Sequence, residues 1–349
     1  MTEILLNPGQ TEWDAYTVKN RAALFSHRFA WGECLTAAYR MPIFRLAARH
    51  RSGDGTLTGI LPLMLFSPPD QEKRLVSLPY TDAAGIVADD SSTAAALLAA
   101  ALDLACELGA VHVELRQAGS AGVFDRATDS RWNHEPHTFK TGLSRPLPDS
   151  PGELWSLLSA KVRNQVRKAR NCGGTVAVGG GERVDDFYAV FSENMRDLGS
   201  PVHAPELFHG LLGHDSLGSR VVVVYLAAKP AAAAIVFWHN ATLFNPWASS
   251  LRGFRPSCPN MLLYWAMLEL AVREGCRWFD FGRSSPTATT CRFKRQWGAV
   301  LSPLTWHVFS RAPHCWDPHS ESLVDEQWKT LELAASRRLG PARRRWISL

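Results

Sequence analysis

The 349-residue chain is 46% hydrophobic and 20% charged, and its length favours two domains over one core. Five of its 38 cations lie in residues 336–349 (Arg337, Arg338, Arg343, Arg344 and Arg345) without an acid, leaving 33 against 33 elsewhere, so the bulk charge excludes a general nucleic-acid binder. The seven cysteines, at 34, 106, 172, 258, 276, 291 and 315, are scattered and form no C-x-x-C pair, which argues against a zinc site or a disulfide framework and for a reducing compartment. The acidic N-terminus lacks the features of a signal peptide, and the longest apolar run, 94–102, is too short for a bilayer span. A cytoplasmic location is expected.

In chain order, Leu24–Tyr39 is expected to be helical, and Ile43–His50 and Thr56–Phe66 to form a hairpin turning at residues 52–55. A short strand follows near Arg74–Leu78. Ser91 or Ser92 can cap a helix that runs to Leu108 and stops at Gly109, and Val111–Leu115 is another strand. Residues 116–137 are expected to be mostly loop. In the second half, Pro151–Asn171 is predicted as one helix ended by Gly173-Gly174. Thr175–Val178 is a strand, and Asp185–Leu198 and Pro205–Gly213 are helices. Arg220–Ala227, Ala231–His239 and Thr242–Ser249 make an antiparallel run turning at Lys229-Pro230 and Asn240. Pro259–Glu274 is a long helix, Arg277–Phe281 a strand, Thr289–Trp297 a helix and Leu304–Phe309 a last strand. Both halves alternate helices with antiparallel hairpins, which suggests a duplicated α/β (α+β) fold.

Asp280-Phe281-Gly282 matches the magnesium-holding tripeptide of kinases. The strand lysine, Gly-rich strand-loop and His-Arg-Asp loop that would complete such a site are missing. The tripeptide therefore ends a strand, with Asp280 holding a neighbouring loop or, with Arg283, facing a cleft. Downstream, Phe293 and Trp297 are four apart and share a helix face, with Arg292 and Arg295 on another side and Lys294 between. Arg163, Arg167 and Arg170 form a second stripe on a helix whose Val162, Val166 and Ala169 face a core. Such a stripe suits phosphate oxygens, although a solvated basic face has the same pattern. Twelve His occur without metal-ligand spacing, so no metal is assigned.

The segments KVRNQVRKAR (161–170), PWASSLRGF (246–254), PNMLLYWAMLELAVREGCRWFDFGRSS (259–285) and RFKRQWG (292–298) resemble the FemAB-like branch of the GNAT acyltransferase superfamily. They are most similar to the FemAB-related proteins associated with bacterial PEP-CTERM/exosortase gene clusters. The resemblance implies two tandem GNAT-like domains with mixed, mostly antiparallel sheets flanked by helices. The expected division is 1–145, 146–315, and a C-terminal helix and Arg-rich tail at 316–349. It also implies transfer of an aminoacyl or acyl group to an amine of a peptide, an envelope precursor or a small amino compound.

On the same resemblance, the Phe293-Lys294 pair stands at the Phe-Lys of Fem-type transferases, and Lys294 would stabilise the oxyanion of the tetrahedral intermediate. Tyr264 or Asp280 would assist as base. Trp247, Asn260, Arg283 and Arg292 would contact substrate, and Arg163 and Arg167 would grip phosphates. Tyr80 and Asp82, in a segment like the family's Leu-Pro-aromatic-x-Asp-x-x-Gly, would face an interdomain cleft. The relatives carry glycines and a Tyr where this chain has Ala288-Thr289-Thr290-Cys291, which stiffens the loop and removes a phenol. Cys291 as a nucleophile has no His–Asp support. The stretch 250–260 has one Gly and two Pro, unlike the pyrophosphate cradle of acetyl-CoA enzymes. No bound cofactor is expected. The donor is expected to be aminoacyl-tRNA, with acyl-CoA as the alternative. A non-catalytic binding module, and contact of the Arg tail with anionic lipid, are further readings.

Overall fold

The structure is a computed structural model and describes every residue except 1, 52–54, 70, 120–123, 125–128, 312–315 and 319–323. The hairpin turn expected at 52–55 and part of the 116–137 loop therefore lie outside the described residues. The elements begin with β1 (Thr2–Leu6), α1 (Gln10–Lys19), α2 (Phe29–Tyr39), β2 (Ile43–His50), β3 (Leu57–Phe66), β4 (Arg74–Val76), β5 (Val87–Ala88), α3 (Ser91–Glu107), β6 (His112–Ala118), β7 (Asn133–His137) and β8 (Thr141–Pro146). They continue with α4 (Pro151–Leu157), α5 (Ala160–Asn171), β9 (Thr175–Gly179), α6 (Val184–Leu198), α7 (Pro205–Gly213), β10 (Ser219–Leu226), β11 (Lys229–His239) and β12 (Thr242–Ser250). The last are α8 (Pro259–Arg273), β13 (Trp278–Ser284), α9 (Thr289–Arg295), β14 (Val300–Ser302), β15 (Leu304–Ser310) and α10 (Leu333–Arg344). They make two compact units, Met1–Thr141 with Ser302–Glu321 and Trp346–Leu349, and Gly142–Leu301 with Ser322–Arg345.

The first unit is built on a sheet ordered β1-β2-β3-β4-β6-β15-β7, with β5 added to β3. The β2–β3 hairpin pairs Ile43 with Met64, and β4 runs parallel to β6. Leu97, Leu98, Ala101, Leu102 and Ala105 of α3 form a core with Leu46, Leu61, Leu63 and Val113 from the sheet. The cap of α3 is Asp90, not Ser91 or Ser92: its carboxylate accepts the Thr93 N–H at 2.8 Å. The buried Arg116 pairs with the buried Glu114 at 2.7 Å and also donates to the carbonyls of Thr81 and Ser348. Its guanidinium lies 4.0 Å from the Trp306 ring centroid.

Two features of this unit depart from the sequence division at 145/146 and 315/316. β15 pairs antiparallel with β6 and β7, so 304–310 belongs to the first sheet. Residues 346–349 also join this unit. Strand partners are chosen by non-local packing, which alternation along one strand does not encode.

The second unit has a sheet ordered β14-β8-β13-β12-β11-β10-β9. Val222, Val224, Ala232, Ala234 and Val236 share a core with α5 and α8, while the alternate residues Val221, Val223, Ala233 and Ile235 are equally buried. The sheet is therefore covered on both faces, and α6 packs on β10, β11 and β12. The helix expected at 151–171 is two helices. It breaks at Leu158, where Ser159 restarts it by accepting the Val162 N–H at 3.3 Å.

α10 gives the Arg-rich tail a fixed place in the second unit. Ser336, Gly340 and Arg344 recur every four residues and form a buried stripe. Arg344 Nε lies 3.1 Å from His203 Nε2, Arg337 Nε donates to Ser192 Oγ at 2.8 Å, and Arg343 pairs with Asp325 at 2.9 Å. These arginines tie the helix to its own unit rather than forming an extended cationic arm. Among the described residues no helix is long and apolar enough to cross a membrane.

Candidate active site

β12 and β13 are parallel neighbours for only three residues, with Phe244 opposite Asp280 as the last pair. Sequence features on both strands end the pairing there. On β12 the next residues are Asn245-Pro246, which make a bulge against β11 between Ile235 and Phe237. Pro246 has no N–H to offer a ladder. The Asn245 side chain holds the bulge by donating Nδ2–H to the carbonyls of Ile235 (3.3 Å) and Trp247 (3.1 Å).

On β13, Asp280 Oδ1 accepts the Gly282 N–H at 2.6 Å, and Gly282 has φ +70°, a left-handed conformation that suits glycine. The two strands thus part beyond Phe244 and Asp280, with β12 continuing to Ser250 and β13 to Ser284. The Asp-Phe-Gly tripeptide is the kink of one arm. Among the described residues no group of three His, Cys, Asp or Glu could hold a metal ion.

α9 brings Lys294 to this arm. Lys294 is half-buried, and its Nζ donates to the Arg283 carbonyl at 2.7 Å. This bond orients the ammonium. The helix is fixed from behind. Trp297 is fully buried, and Phe293 meets Tyr264 edge-on at 4.9 Å. Tyr264 in turn stacks near Phe281 and Trp297, each at 6.0 Å. Just past α9, Gly298 (φ +83°) turns the chain, and Arg145 Nη1 donates to the Trp297 carbonyl. A Cβ on Gly298 would lie 3.1 Å from that guanidinium, which explains the glycine after the tryptophan.

The structure brings Lys294, Phe293, Tyr264, Asp280 and Arg283 together within the second unit. Burial pushes the Tyr264 phenol pKa well up, so this hydroxyl holds its proton at neutral pH. Trp247 is buried and packs edge-on against Phe208 (5.2 Å), His203 (6.0 Å) and Phe237 (6.3 Å). Asn260 is half-buried at the second position of α8. Arg292 is exposed on α9. On α5, Arg163 donates to the Ser156 carbonyl and exposed Arg167 to Asn164, with Arg167 5.5 Å above the Trp155 ring. Cys291 is buried in the core.

Tyr80 and Asp82 belong to the first unit. Tyr80 is buried, with φ +63°, and its N–H meets the Ser348 carbonyl at 2.8 Å. The Asp82 carbonyl accepts from Trp306 Nε1. Sequence reasoning missed Asn245 and Arg145. The Asn-Pro inside an apolar run was the available signal for the first, whereas nothing local marks Arg145.

The loop from Ser250 to α8 is a short 3₁₀ helix, Arg252–Ser257. Three of its amides are bonded internally, Phe254 N–H to Leu251, Cys258 to Arg255 and Met261 to Cys258, while Pro256 and Pro259 have none. These five positions offer no backbone donor to cradle a pyrophosphate.

Residues 158–295 match the family model of the acetyltransferase (GNAT) domain. Over that stretch the chain is similar to a GNAT domain, and its fold as a whole is like that of FemX and of tandem GNAT proteins. The crystal structure of FemX superposes over 87% of this chain and 96% of its own, with a TM-score of 0.68 at 16% identity. A tandem GNAT protein from the clavulanic acid biosynthesis pathway covers 90% of this chain and all of its own, at 0.53 and 13%. L-PGS from Bacillus licheniformis covers 98% of both chains, at 0.56 and 11%. At these identities the likeness concerns the fold. No curated protein sequence matches the chain significantly. Against this GNAT frame, the parting of β12 and β13 and the placement of Lys294 beside it are the features with a chemical consequence.

Proposed function

We propose that the protein transfers an aminoacyl group from an activated ester donor to an amine, with the opening between β12 and β13 as the reaction site. The observation that carries this reading is the half-buried Lys294 ammonium, held by the Arg283 carbonyl at the strand end beyond the parting. Attack by a neutral amine on the donor carbonyl forms the C–N bond and places negative charge on the carbonyl oxygen. Collapse expels the ester oxygen, and the amine gives up a proton. A fixed cation in a partly dehydrated site stabilises that oxyanion far more than it stabilises the uncharged carbonyl.

The 251–261 loop favours an aminoacyl-tRNA over an acyl-CoA donor, because a coenzyme A pyrophosphate needs backbone donors, and here Pro256 and Pro259 have none and the Phe254, Cys258 and Met261 amides are bonded within the loop. The basic α5 offers phosphate contacts suited to the tRNA end. The test is transfer of a labelled aminoacyl group to small amine acceptors by the wild-type and Lys294→Met proteins, with aminoacyl-tRNA and acyl-CoA supplied separately. The expected outcome is transfer from aminoacyl-tRNA that falls by roughly 10²–10³-fold in the variant, the usual scale of an oxyanion donor. Undiminished turnover in Lys294→Met would end the oxyanion role, and transfer from acyl-CoA alone would replace the donor.

A further inference from the structure

The C-terminal end of α8 roofs a second recess, remote from the transfer opening. Asn260 and Glu274 lie at opposite ends of this helix, about 21 Å apart at 1.5 Å per residue. The recess has a volume of 220 Å³ and is lined by Val178, Gly218, Arg220, Trp238, Leu270 and Glu274. Its floor is one face of the sheet. Arg220 has the parity of Val222 and Val224 on β10, and Trp238 that of Val236 on β11. Gly218, at φ +54° before β10, contributes no side chain to fill the space.

Its chemistry combines three properties. Arg220 is a cation whose Nη1 donates to its own neighbour's carbonyl, that of Ser219, and which forms no ion pair among the described residues. Glu182 is near enough to feel the Arg220 charge, but both its carboxylate oxygens accept the Gly180 N–H at 3.0 Å instead. Glu274 is likewise without an ion pair among the described residues, although it lines the same recess as a cation. The half-buried indole of Trp238 and the apolar side chains of Val178 and Leu270 line the same recess as these opposite charges.

The geometry points to a binding site for a small zwitterion, an α-amino acid with an apolar side chain. Its carboxylate would meet Arg220, its ammonium Glu274, and its side chain the Trp238 face. A peptide terminus carries only one of the two charges at its end, so the pair of wall charges selects a free amino acid. The volume is below the roughly 300–1,000 Å³ of sites for drug-sized ligands, in keeping with a ligand of this size. The site is separate from the transfer opening and does not depend on the reaction proposed there.

Isothermal titration calorimetry of the full chain with L-leucine, N-acetyl-L-leucine and L-leucinamide tests this. L-leucine is expected to bind one per chain, and both derivatives, each lacking one charge, to bind at least tenfold more weakly. Arg220→Gln and Glu274→Gln change exposed side chains and are each expected to weaken L-leucine at least tenfold with an unchanged near-ultraviolet circular dichroism spectrum. Lys294→Met, at the other end of α8, is expected to bind L-leucine as the wild type does. Failure of L-leucine and L-phenylalanine to bind at 10 mM, on the order of 2.7 kcal/mol, overturns the site. So does binding that survives both charge-removing substitutions, or that is lost with Lys294→Met.

Discussion

Asp280 Oδ1 holds the N–H of Gly282 at 2.6 Å, two residues along the same strand, directly after β13 makes its last bond pair with β12. This local turn shapes one arm of the opening and precedes the carbonyl of Arg283 that receives Lys294. Asn keeps the acceptor oxygen and Ala removes it. Asp280→Asn is therefore expected to stay within about 1 kcal/mol of wild type, whereas Asp280→Ala loses about 1.5–3 kcal/mol as a charge-assisted bond disappears. Urea denaturation of the two variants checks this, and equal losses would show that the carboxylate acts through its charge alone.

A second expectation concerns the end of α9. Gly298 has φ +83°, and its would-be Cβ faces the Arg145 guanidinium at 3.1 Å. Gly298→Ala forces a left-handed alanine, costing about 1–2 kcal/mol, and displaces the side chain that holds the Trp297 carbonyl. Because Lys294 sits one turn earlier on this segment, transfer activity should fall in a variant that remains folded at 25 °C. Thermal unfolding and turnover measured on one preparation decide it; a destabilised variant with full turnover would show that the Arg145 contact does not position Lys294.

Tyr264 separates packing from proton transfer. Its ring lies among Phe281, Phe293 and Trp297, and burial raises its phenol pKa. A group that holds its proton this firmly is a poor base, so Tyr264→Phe should preserve the aromatic cluster and the pH–rate profile. Any loss should be far below the roughly 10²–10⁴-fold contributed by a general acid or base. Tyr264→Ala, which empties the cluster, should cost about 3–5 kcal/mol. A Phe variant as inactive as the Ala variant would restore the hydroxyl to the chemistry.

The hairpins, the long α8 and the Phe293–Trp297 face were legible because period-2 and period-3.6 patterns are local. The bend at Asn245-Pro246 carried a residue-level signal as well. β15 was assigned to the wrong unit because an alternating strand looks the same whichever sheet receives it. The way α10 docks was hidden for another reason: four arginines dominate its composition, and the stripe Ser336, Gly340, Arg344 is buried without being apolar. In the interior Arg344 Nε donates to His203, a partner 141 residues away. Where Lys294 points likewise depends on a carbonyl eleven residues upstream, which sequence spacing alone does not place.

Stability should fall in mild acid through histidines buried in the neutral form. His27 uses both ring nitrogens: Nδ1 accepts the Leu24 N–H at 3.0 Å, and Nε2–H donates to the Gly85 carbonyl at 3.0 Å. Burial lowers its pKa to about 4. His307 is also lowered to about 4, by burial and by the neighbouring His134 and His137. Both folded values lie below the unfolded value of about 6.5. The unfolded chain therefore binds more protons below that pH, and stability present above 6.5 is lost as pH falls toward 4. Each group contributes at most about 1.4 kcal/mol per pH unit across that window. The carboxylates with lowered pKa, such as Asp90 at about 2, add to the loss at the acid end of this range and below it. Urea denaturation at pH 7, 6, 5 and 4 should show a steady decline, and His27→Gln should flatten the slope even if it lowers stability throughout. An equal slope in wild type and variant would mean that protonation of His27 is not part of the acid response.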